Sequence, residues 1–197
     1  MRPRAQVCLA LLVVVALTCT ACATTTARSI RVRESTEAEA RLVRAALTPL
    51  LVELHDGAIH RDGCAVGLAV TPTNRINAAI APGKSTTTAC TSFTLLLTQG
   101  ALARLPEPML RAVLAHELGH VALQHAAGKK TRANETAADQ FAVKLLKRLE
   151  PRYPDACVQL VYVFSALAEQ GSLAAAWFSE HPSPDRRAEA ALDACNR

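Results

Sequence analysis

Residues 114–121 have the sequence LAHELGHV, in which His116 and His120 lie four positions apart and Glu117 follows the first of them. Positions four apart share one face of an α-helix, so both imidazoles can bind one ion while the Glu117 carboxylate projects beside them. Apolar residues around the motif recur at helical spacing after an acidic first turn. We therefore predict that residues 106–128 form a helix that carries a metal-dependent hydrolytic site.

Two imidazoles need a third ligand, and the next predicted helix, residues 133–149, supplies a carboxylate. Glu135 is the expected ligand. Asp139 lies one turn further on the same face, where it can accept a hydrogen bond from the outer nitrogen of His116. Only fourteen residues separate His120 from Glu135, so a tight helical hairpin is required and Asp139 is the alternative third ligand.

The expected cofactor is one Zn²⁺ per chain. Two histidines and one carboxylate hold zinc and leave a position open for water, which is typical of catalytic zinc sites. Other divalent ions accept the same donors, so the ligand set alone does not select zinc.

The remaining patterns predict an α+β domain that is mainly helical, with a small sheet before the metal-site helix. The capping box formed by Thr36 and Glu39 begins a first helix, which Pro49 is expected to kink or divide. Short runs rich in Val, Ile and Thr predict three strands, within residues 65–70, 75–80 and 86–97. Two more helices are predicted over residues 155–171 and 184–195.

Residues 1–23 are predicted to be a secretory signal. Two arginines precede an uncharged run over residues 7–17, which is too short to cross a bilayer comfortably, and small residues follow. Cys22 is either part of a cleavage site that releases a soluble protein or a lipidated cysteine, as in bacterial lipoproteins. The Thr-rich segment 24–34 is predicted to be a tether, which favours lipidation, and the folded domain is expected over residues 35–197.

The signal predicts a protein of the cell envelope, periplasmic and, if lipidated, attached to the outer membrane. Four cysteines then remain in an oxidising compartment, which favours disulfides. The pairs Cys64–Cys90 and Cys157–Cys195 would each link one local region, although four cysteines allow three connectivities and buried free thiols are the alternative.

Composition and charge exclude several classes of protein. Half of the residues are hydrophobic and 20% are charged, so disordered and low-complexity proteins are excluded. The net charge of +5 includes two arginines of the predicted signal. Such a weakly basic chain is not expected to bind nucleic acid.

Three segments of the chain resemble the M48 family of metallopeptidases, a gluzincin group that includes membrane-bound and periplasmic quality-control proteases. The segment around HELGH, followed by Glu135-Thr136-Ala137-Ala138-Asp139, is similar to the family's core motifs. Residues 76–83, INAAIAPG, are similar to its Asn-Ala segment, and residues 179–187, SEHPSPDRR, are similar to its C-terminal His-Pro motif. The resemblance implies a zincin-like fold in a minimal form and peptidase activity with Glu117 as the catalytic base.

The resemblance also implies how substrate is handled. An extended peptide is expected to pair with a strand edge at Asn77, Ala78 and Ala79. His181 is expected either to donate a hydrogen bond to the developing oxyanion or to bind the metal as an inhibitory ligand.

Arg186 and Arg187 are further candidates for the C-terminal part of the site, either as donors to the oxyanion or as partners of Asp139. The other histidines, His55, His60 and His125, are predicted to be surface residues.

The resemblance implies the first of two candidate functions, and the second is a rival of a different class. The first is a zinc endopeptidase that degrades misfolded or unassembled envelope proteins. The alternative is a zinc-stabilised assembly factor or chaperone that binds clients in the same cleft with little proteolytic turnover.

Overall fold

The computed structural model describes residues 32–54, 66–82, 93–125, 131–169 and 183–197, all within one compact unit, Arg31–Arg197. The described strands are β1 (Arg33–Glu34), β2 (Val66–Thr71), β3 (Ala78–Pro82) and β4 (Phe93–Thr98). The described helices are α1 (Glu37–Leu54), α2 (Gln99–Arg104), α3 (Glu107–Ala122), α4 (Arg132–Leu149), α5 (Val158–Glu169) and α6 (Pro184–Asn196). The predicted α+β class therefore agrees with a mostly helical chain that carries a small sheet.

The sheet has the order β1-β2-β4-β3, in which β2 and β4 are parallel and the other two pairs are antiparallel. Phe93, Leu95 and Leu97 alternate along β4 and are buried in the core, as expected for a strand with one face on the helices. β3 pairs with β4 alone within the part of the chain that the structure describes, so it lies at the edge of this sheet.

Thr98 fixes the start of β3 relative to the helices. Its buried hydroxyl caps α2 by accepting from the Ala101 amide at 3.1 Å, and it donates to the Arg75 carbonyl at 2.6 Å. A side chain at Gly100 would clash with the Asn74 carbonyl oxygen, so this position requires glycine. The segment before β3 is therefore held tightly against the beginning of α2.

The predicted capping box forms at the start of α1. The Glu39 amide donates to the Thr36 hydroxyl at 3.2 Å and the Thr36 amide donates to the Glu39 carboxylate at 2.8 Å. Pro49 does not divide the helix, because α1 runs unbroken past it. Leu47 and Leu50 on either side are buried, and this packing compensates for the hydrogen bond that proline removes.

The N-terminal boundary differs from the prediction by two residues. Arg33 and Glu34, assigned from the sequence to the tether, pair with Val70 and Ala69 as strand β1. The Arg33 guanidinium also binds the Glu39 carboxylate at 2.6 and 2.8 Å. These two interactions bring the end of the predicted tether into the fold.

Helix α3 occupies the centre of the helical layer, where it contacts α1, α4, α5 and strand β3. Leu110, Leu114 and Leu118 lie on it and are completely buried. Helix α6 packs against α5 and α4. None of the described helices is long and apolar enough to cross a membrane.

The predicted disulfide Cys157–Cys195 is present and joins the residue before α5 to the end of α6. The other predicted pair, Cys64 and Cys90, lies outside the described residues.

Two helix ends differ from their predicted positions for backbone reasons. Helix α3 ends at Ala122 instead of continuing toward residue 128, because Gln124 has a φ of 53° and leaves the helical conformation. Helix α5 begins at Val158 instead of Asp155, because Asp155 has a φ of 63°. Left-handed residues do not continue a right-handed helix.

Candidate active site

Helices α3 and α4 bring the three predicted ligands together. The Nε2 atoms of His116 and His120 are 3.2 Å apart. The carboxylate oxygens of Glu135 lie 3.3 Å from Nε2 of His116 and 3.5 Å from Nε2 of His120. The geometry places one donor atom of each residue within 4.8 Å of the other two, a spacing that could hold a metal ion.

The donor set fits zinc in both chemistry and spacing. Tetrahedral zinc holds nitrogen and oxygen ligands at about 2.0–2.2 Å, which places neighbouring ligand atoms about 3.3–3.6 Å apart. The three shortest separations, 3.2, 3.3 and 3.5 Å, lie close to this range, the last two being to different oxygens of Glu135. His116 and Glu135 are buried, so these donors face one another away from bulk water.

The start of α4 places Glu135 at this position. Thr131 caps the helix by accepting from the Asn134 amide at 3.1 Å, which puts Glu135 in the first turn. A carboxylate there is favoured by the positive end of the helix dipole.

Gly119 allows α4 to approach α3 closely enough for this contact. A Cβ atom at this position would lie 3.0 Å from the Ala138 carbonyl oxygen and 3.1 Å from the Ala138 Cα. The glycine in HELGH therefore permits the helix spacing that brings Glu135 and Asp139 to the histidines.

Asp139 contacts Nδ1 of His116, the ring nitrogen that faces away from the other ligands, as the sequence spacing predicts. Its Oδ1 lies 2.8 Å from Nδ1 of His116, so the imidazole can donate there and keep its Nε2 lone pair for the ion. Arg187 on α6 binds the same carboxylate through Nε at 2.8 Å and through a terminal nitrogen at 2.7 Å. The result is a chain of contacts from Arg187 through Asp139 to His116.

The electrostatics of these residues favour a positive charge. Burial lowers the pKa of His116, but its hydrogen bonds to Asp139 and Glu135 outweigh burial and raise the pKa to about 9. Burial would raise the pKa of Asp139, but His116 and Arg187 together lower it. Two carboxylates therefore stabilise positive charge at the position that a metal cation would take.

Of the two arginines that the sequence offers as partners of Asp139, Arg187 binds it and Arg186 does not contact it in the described residues. Arg187 is 4% exposed and its guanidinium lies over the Phe164 ring at 4.2 Å. Arg186 is exposed to solvent. Adjacent positions on a helix point about 100° apart, and the orientation of α6 turns Arg187 toward the site.

His125 contacts the site, although the sequence predicts it to be a surface residue. Its Nδ1 lies 2.8 Å from Nδ1 of His120. Helix α3 ends in a Schellman motif, in which the His125 amide donates to the His120 carbonyl at 2.9 Å and the Gln124 amide donates to the Val121 carbonyl at 3.1 Å. The motif usually has glycine at the position of Gln124. Without that glycine, the sequence did not indicate that the chain turns back and brings His125 next to His120.

Glu117 and the predicted peptide-binding strand share one cleft. Glu117 is 7% exposed and lines this cleft with His116, Asn77 and Ala78. The far wall is apolar and comes from α3 and α5. Its members are Val113, Leu160, Val163, Phe164 and Leu167. Ala79 follows in β3, opposite Leu96 of β4.

Several predicted residues lie outside the described parts of the chain. These are His181, Cys22, His55 and His60. Their assigned roles stay predictions.

The family model of peptidase family M48 matches the chain over residues 68–130 and 126–194. The match runs from β2 to α6 and includes every described residue of the site discussed above. No curated protein and no solved structure matches the chain.

Proposed function

The chain belongs to peptidase family M48, and we propose that it is a zinc-dependent endopeptidase that hydrolyses misfolded or unassembled proteins of the cell envelope. The observation that carries this proposal is the convergence of His116, His120 and Glu135 beside the cleft that Glu117 lines.

In the proposed reaction Glu117 moves the proton. A zinc ion held by His116, His120 and Glu135 would supply a Lewis acid that lowers the pKa of water and polarises the peptide carbonyl. The Glu117 carboxylate accepts a proton from the attacking water and delivers it to the amine nitrogen of the leaving peptide. Asp139 keeps the His116 proton on Nδ1, so that Nε2 stays available as a ligand.

The substrate is proposed to bind as an added strand on β3. Within the described residues, one side of β3 pairs with β4 and the other side carries no strand. Asn77 and Ala78 line the cleft beside Glu117, and the small side chain of Ala78 lets a peptide backbone approach. Backbone pairing of this kind requires an extended peptide, which a folded substrate does not offer.

The apolar wall of the cleft supports a preference for unfolded proteins. Five aliphatic and aromatic side chains of α3 and α5 line it. Side chains that fit such a surface are buried in native proteins and become accessible on misfolding. The four α5 members of this wall are at most 5% exposed, so the space that they line fits one small apolar side chain of an unfolded substrate.

The proposed envelope location rests on the predicted signal of residues 1–23 and on cysteine chemistry. The Cys157–Cys195 disulfide supports it, because disulfides persist mainly in oxidising compartments. Lipidation of Cys22 and attachment to the outer membrane belong to this proposal. Replacing Cys22 with Ser is expected to abolish incorporation of labelled fatty acid and to release the protein from membranes.

The decisive experiment compares the purified wild type with Glu117→Gln on reduced and carboxymethylated casein, with bound zinc quantified in both. We expect about one zinc per chain in each protein and cleavage by the wild type alone, because the glutamine cannot accept the proton. Loss of one general base costs about 10²–10⁴-fold in rate.

The other outcomes contradict the proposal in distinct ways. Absence of zinc from the wild type would refute the metal site. Zinc in both proteins without cleavage by either would favour the assembly factor. Equal cleavage of a protein in its native and unfolded forms would refute the selection of misfolded substrates.

A further inference from the structure

We propose that His125 is a positioning residue for the metal centre, which accepts a hydrogen bond from His120 and thereby keeps the Nε2 atom of His120 free for the ion. This inference rests on the proposed zinc site and assigns a role to a residue that the sequence predicts to lie on the surface.

The ring nitrogen of His120 that faces the other ligands is Nε2. Nε2 of His120 is 3.2 Å from Nε2 of His116 and 3.5 Å from Glu135. A neutral imidazole carries one proton, so a ring that offers its Nε2 lone pair must carry the proton on Nδ1. That Nδ1–H needs an acceptor.

The structure places the acceptor on His125. The two Nδ1 atoms are 2.8 Å apart, and the rings meet edge to face with centroids separated by 5.0 Å. If Nδ1 of His120 donates, Nδ1 of His125 accepts and the His125 proton resides on Nε2. The hydrogen bond thus selects one tautomer of each ring.

The backbone holds His125 in place for this contact. The Schellman motif ends α3 and returns the chain, so that the His125 amide binds the carbonyl of His120 itself at 2.9 Å. This bond does not involve the side chain. Substitution of the His125 side chain therefore removes the imidazole without removing the turn.

Each of the two histidine ligands then has a hydrogen-bond partner at Nδ1, the ring nitrogen that does not face the ion. Nδ1 of His116 meets the Asp139 carboxylate, and Nδ1 of His120 meets a neutral imidazole, each at 2.8 Å. Outer partners orient a ligand and typically change metal affinity by about 10–100-fold when they are lost. His125 is expected to contribute within this range.

The test measures zinc affinity of the full chain by competition with a chromophoric chelator, and records the visible spectrum of the cobalt-substituted protein. His125→Ala is expected to weaken zinc binding by about 10–100-fold and to change the cobalt spectrum. His125→Asn keeps an acceptor near the same position and is expected to recover most of the affinity. His125→Leu fills the space without an acceptor and is expected to behave like His125→Ala.

Leu123→Ala serves as the matched control, since this neighbouring side chain is 42% exposed. Affinity in His125→Ala equal to that of the wild type would overturn the inference. Wild-type affinity in both His125→Leu and His125→Asn would also overturn it, because packing alone would then suffice, and so would equally weak binding in both, because an acceptor would then not restore the affinity. A wild type that binds no zinc would refute the proposed function instead, so the two failures are distinguishable.

Discussion

Arg187 is a buried cation that lies near two carboxylates, with Asp139 at 2.7 Å and Glu135 at 3.9 Å. Its side chain is 3% exposed, and Asp139, at 16%, holds it through two hydrogen bonds while also orienting His116. The same carboxylate therefore contributes to the stability of the fold and to the geometry of the site, and the two contributions can be separated by substitution.

Asp139→Ala is expected to lower both the free energy of unfolding and the affinity for zinc. Leaving the buried Arg187 charge without the carboxylate that it hydrogen-bonds should reduce the free energy of unfolding by up to about 3–5 kcal/mol. Loss of the acceptor at Nδ1 of His116 should weaken zinc binding by about 10–100-fold. Urea denaturation and chelator competition measure the two effects.

The double variant Asp139→Ala/Arg187→Met separates the effect on stability from the effect on zinc affinity. Methionine removes the buried Arg187 charge and still packs on Phe164, so part of the lost stability should return. Zinc affinity should stay low, because His116 still lacks its acceptor. Recovery of zinc affinity in the double variant would show that Asp139 acts only by neutralising Arg187.

At the level of the helices, the C-terminus of α3 is strained at one residue. Gln124 has a φ of 53°, in a motif where glycine is the usual residue. Left-handed backbone costs non-glycine residues roughly 1–2 kcal/mol, which the greater flexibility of unfolded glycine partly offsets.

Gln124→Gly is therefore expected to raise the free energy of unfolding by about 0.5–1 kcal/mol, measured by urea denaturation. Leu123→Gly is the control, since Leu123 has a φ of −89° and gains nothing from glycine. A decrease in stability in Gln124→Gly would contradict the Schellman geometry at this end.

The N-terminus of α1 predicts a specific dependence of stability on pH. The hydrogen bond from Arg33, together with the capping interactions with Thr36, lowers the pKa of Glu39 from 4.5 to about 2 despite partial burial. A carboxyl group whose pKa is lower in the folded state stabilises the fold above its unfolded pKa. This contribution is lost as the pH falls from about 4.5 toward 2.

The free energy of unfolding of the wild type should therefore exceed that of Glu39→Gln at neutral pH, and the difference should shrink between pH 4.5 and pH 2. Urea denaturation across this range measures it. Glu37→Gln removes one negative charge from the same turn and is the control. A difference that does not change with pH would contradict the role of the Arg33–Glu39 pair.

Local patterns were sufficient to predict most helices and the relation of His116 to Asp139, because both depend on spacing within or between adjacent helices. The choice of Arg187 over Arg186 was not predictable, since it depends on how α6 is rotated against α4 and α5. His125 was missed because Gln124 lacks the glycine signal of its motif. Strand β1 was not predicted, because its two residues are too few to show the alternation of apolar and polar side chains that indicates a strand.

In the whole molecule, the Cys157–Cys195 disulfide joins residues 38 positions apart and encloses α5 and all but the last residue of α6. Helix α6 carries Arg187, and α5 carries the apolar wall of the cleft. The crosslink therefore holds two sides of the site together, although neither cysteine belongs to it.

Replacing both cysteines with alanine is expected to lower the free energy of unfolding by about 2–4 kcal/mol, because the unfolded chain regains the freedom that the crosslink removes. Urea denaturation of the oxidised wild type and the double variant measures the difference. The reduced wild type should behave like the variant. Unchanged stability in both would contradict a structural role for the disulfide.

The sheet order was not predictable from the sequence. β2 and β4 are parallel neighbours although β3 lies between them in the chain, and such long-range pairing leaves no local pattern. The edge position of β3 therefore became visible only in the folded molecule.

That position has a consequence for how the protein behaves at high concentration. An unpaired strand edge that accepts a peptide also accepts the same edge of another copy, which is a route to aggregation. β3 has only five residues and ends at Pro82, which has no amide hydrogen to offer a further strand. Within the described residues, its shortness and this proline limit self-association along the edge that is proposed to bind an extended substrate.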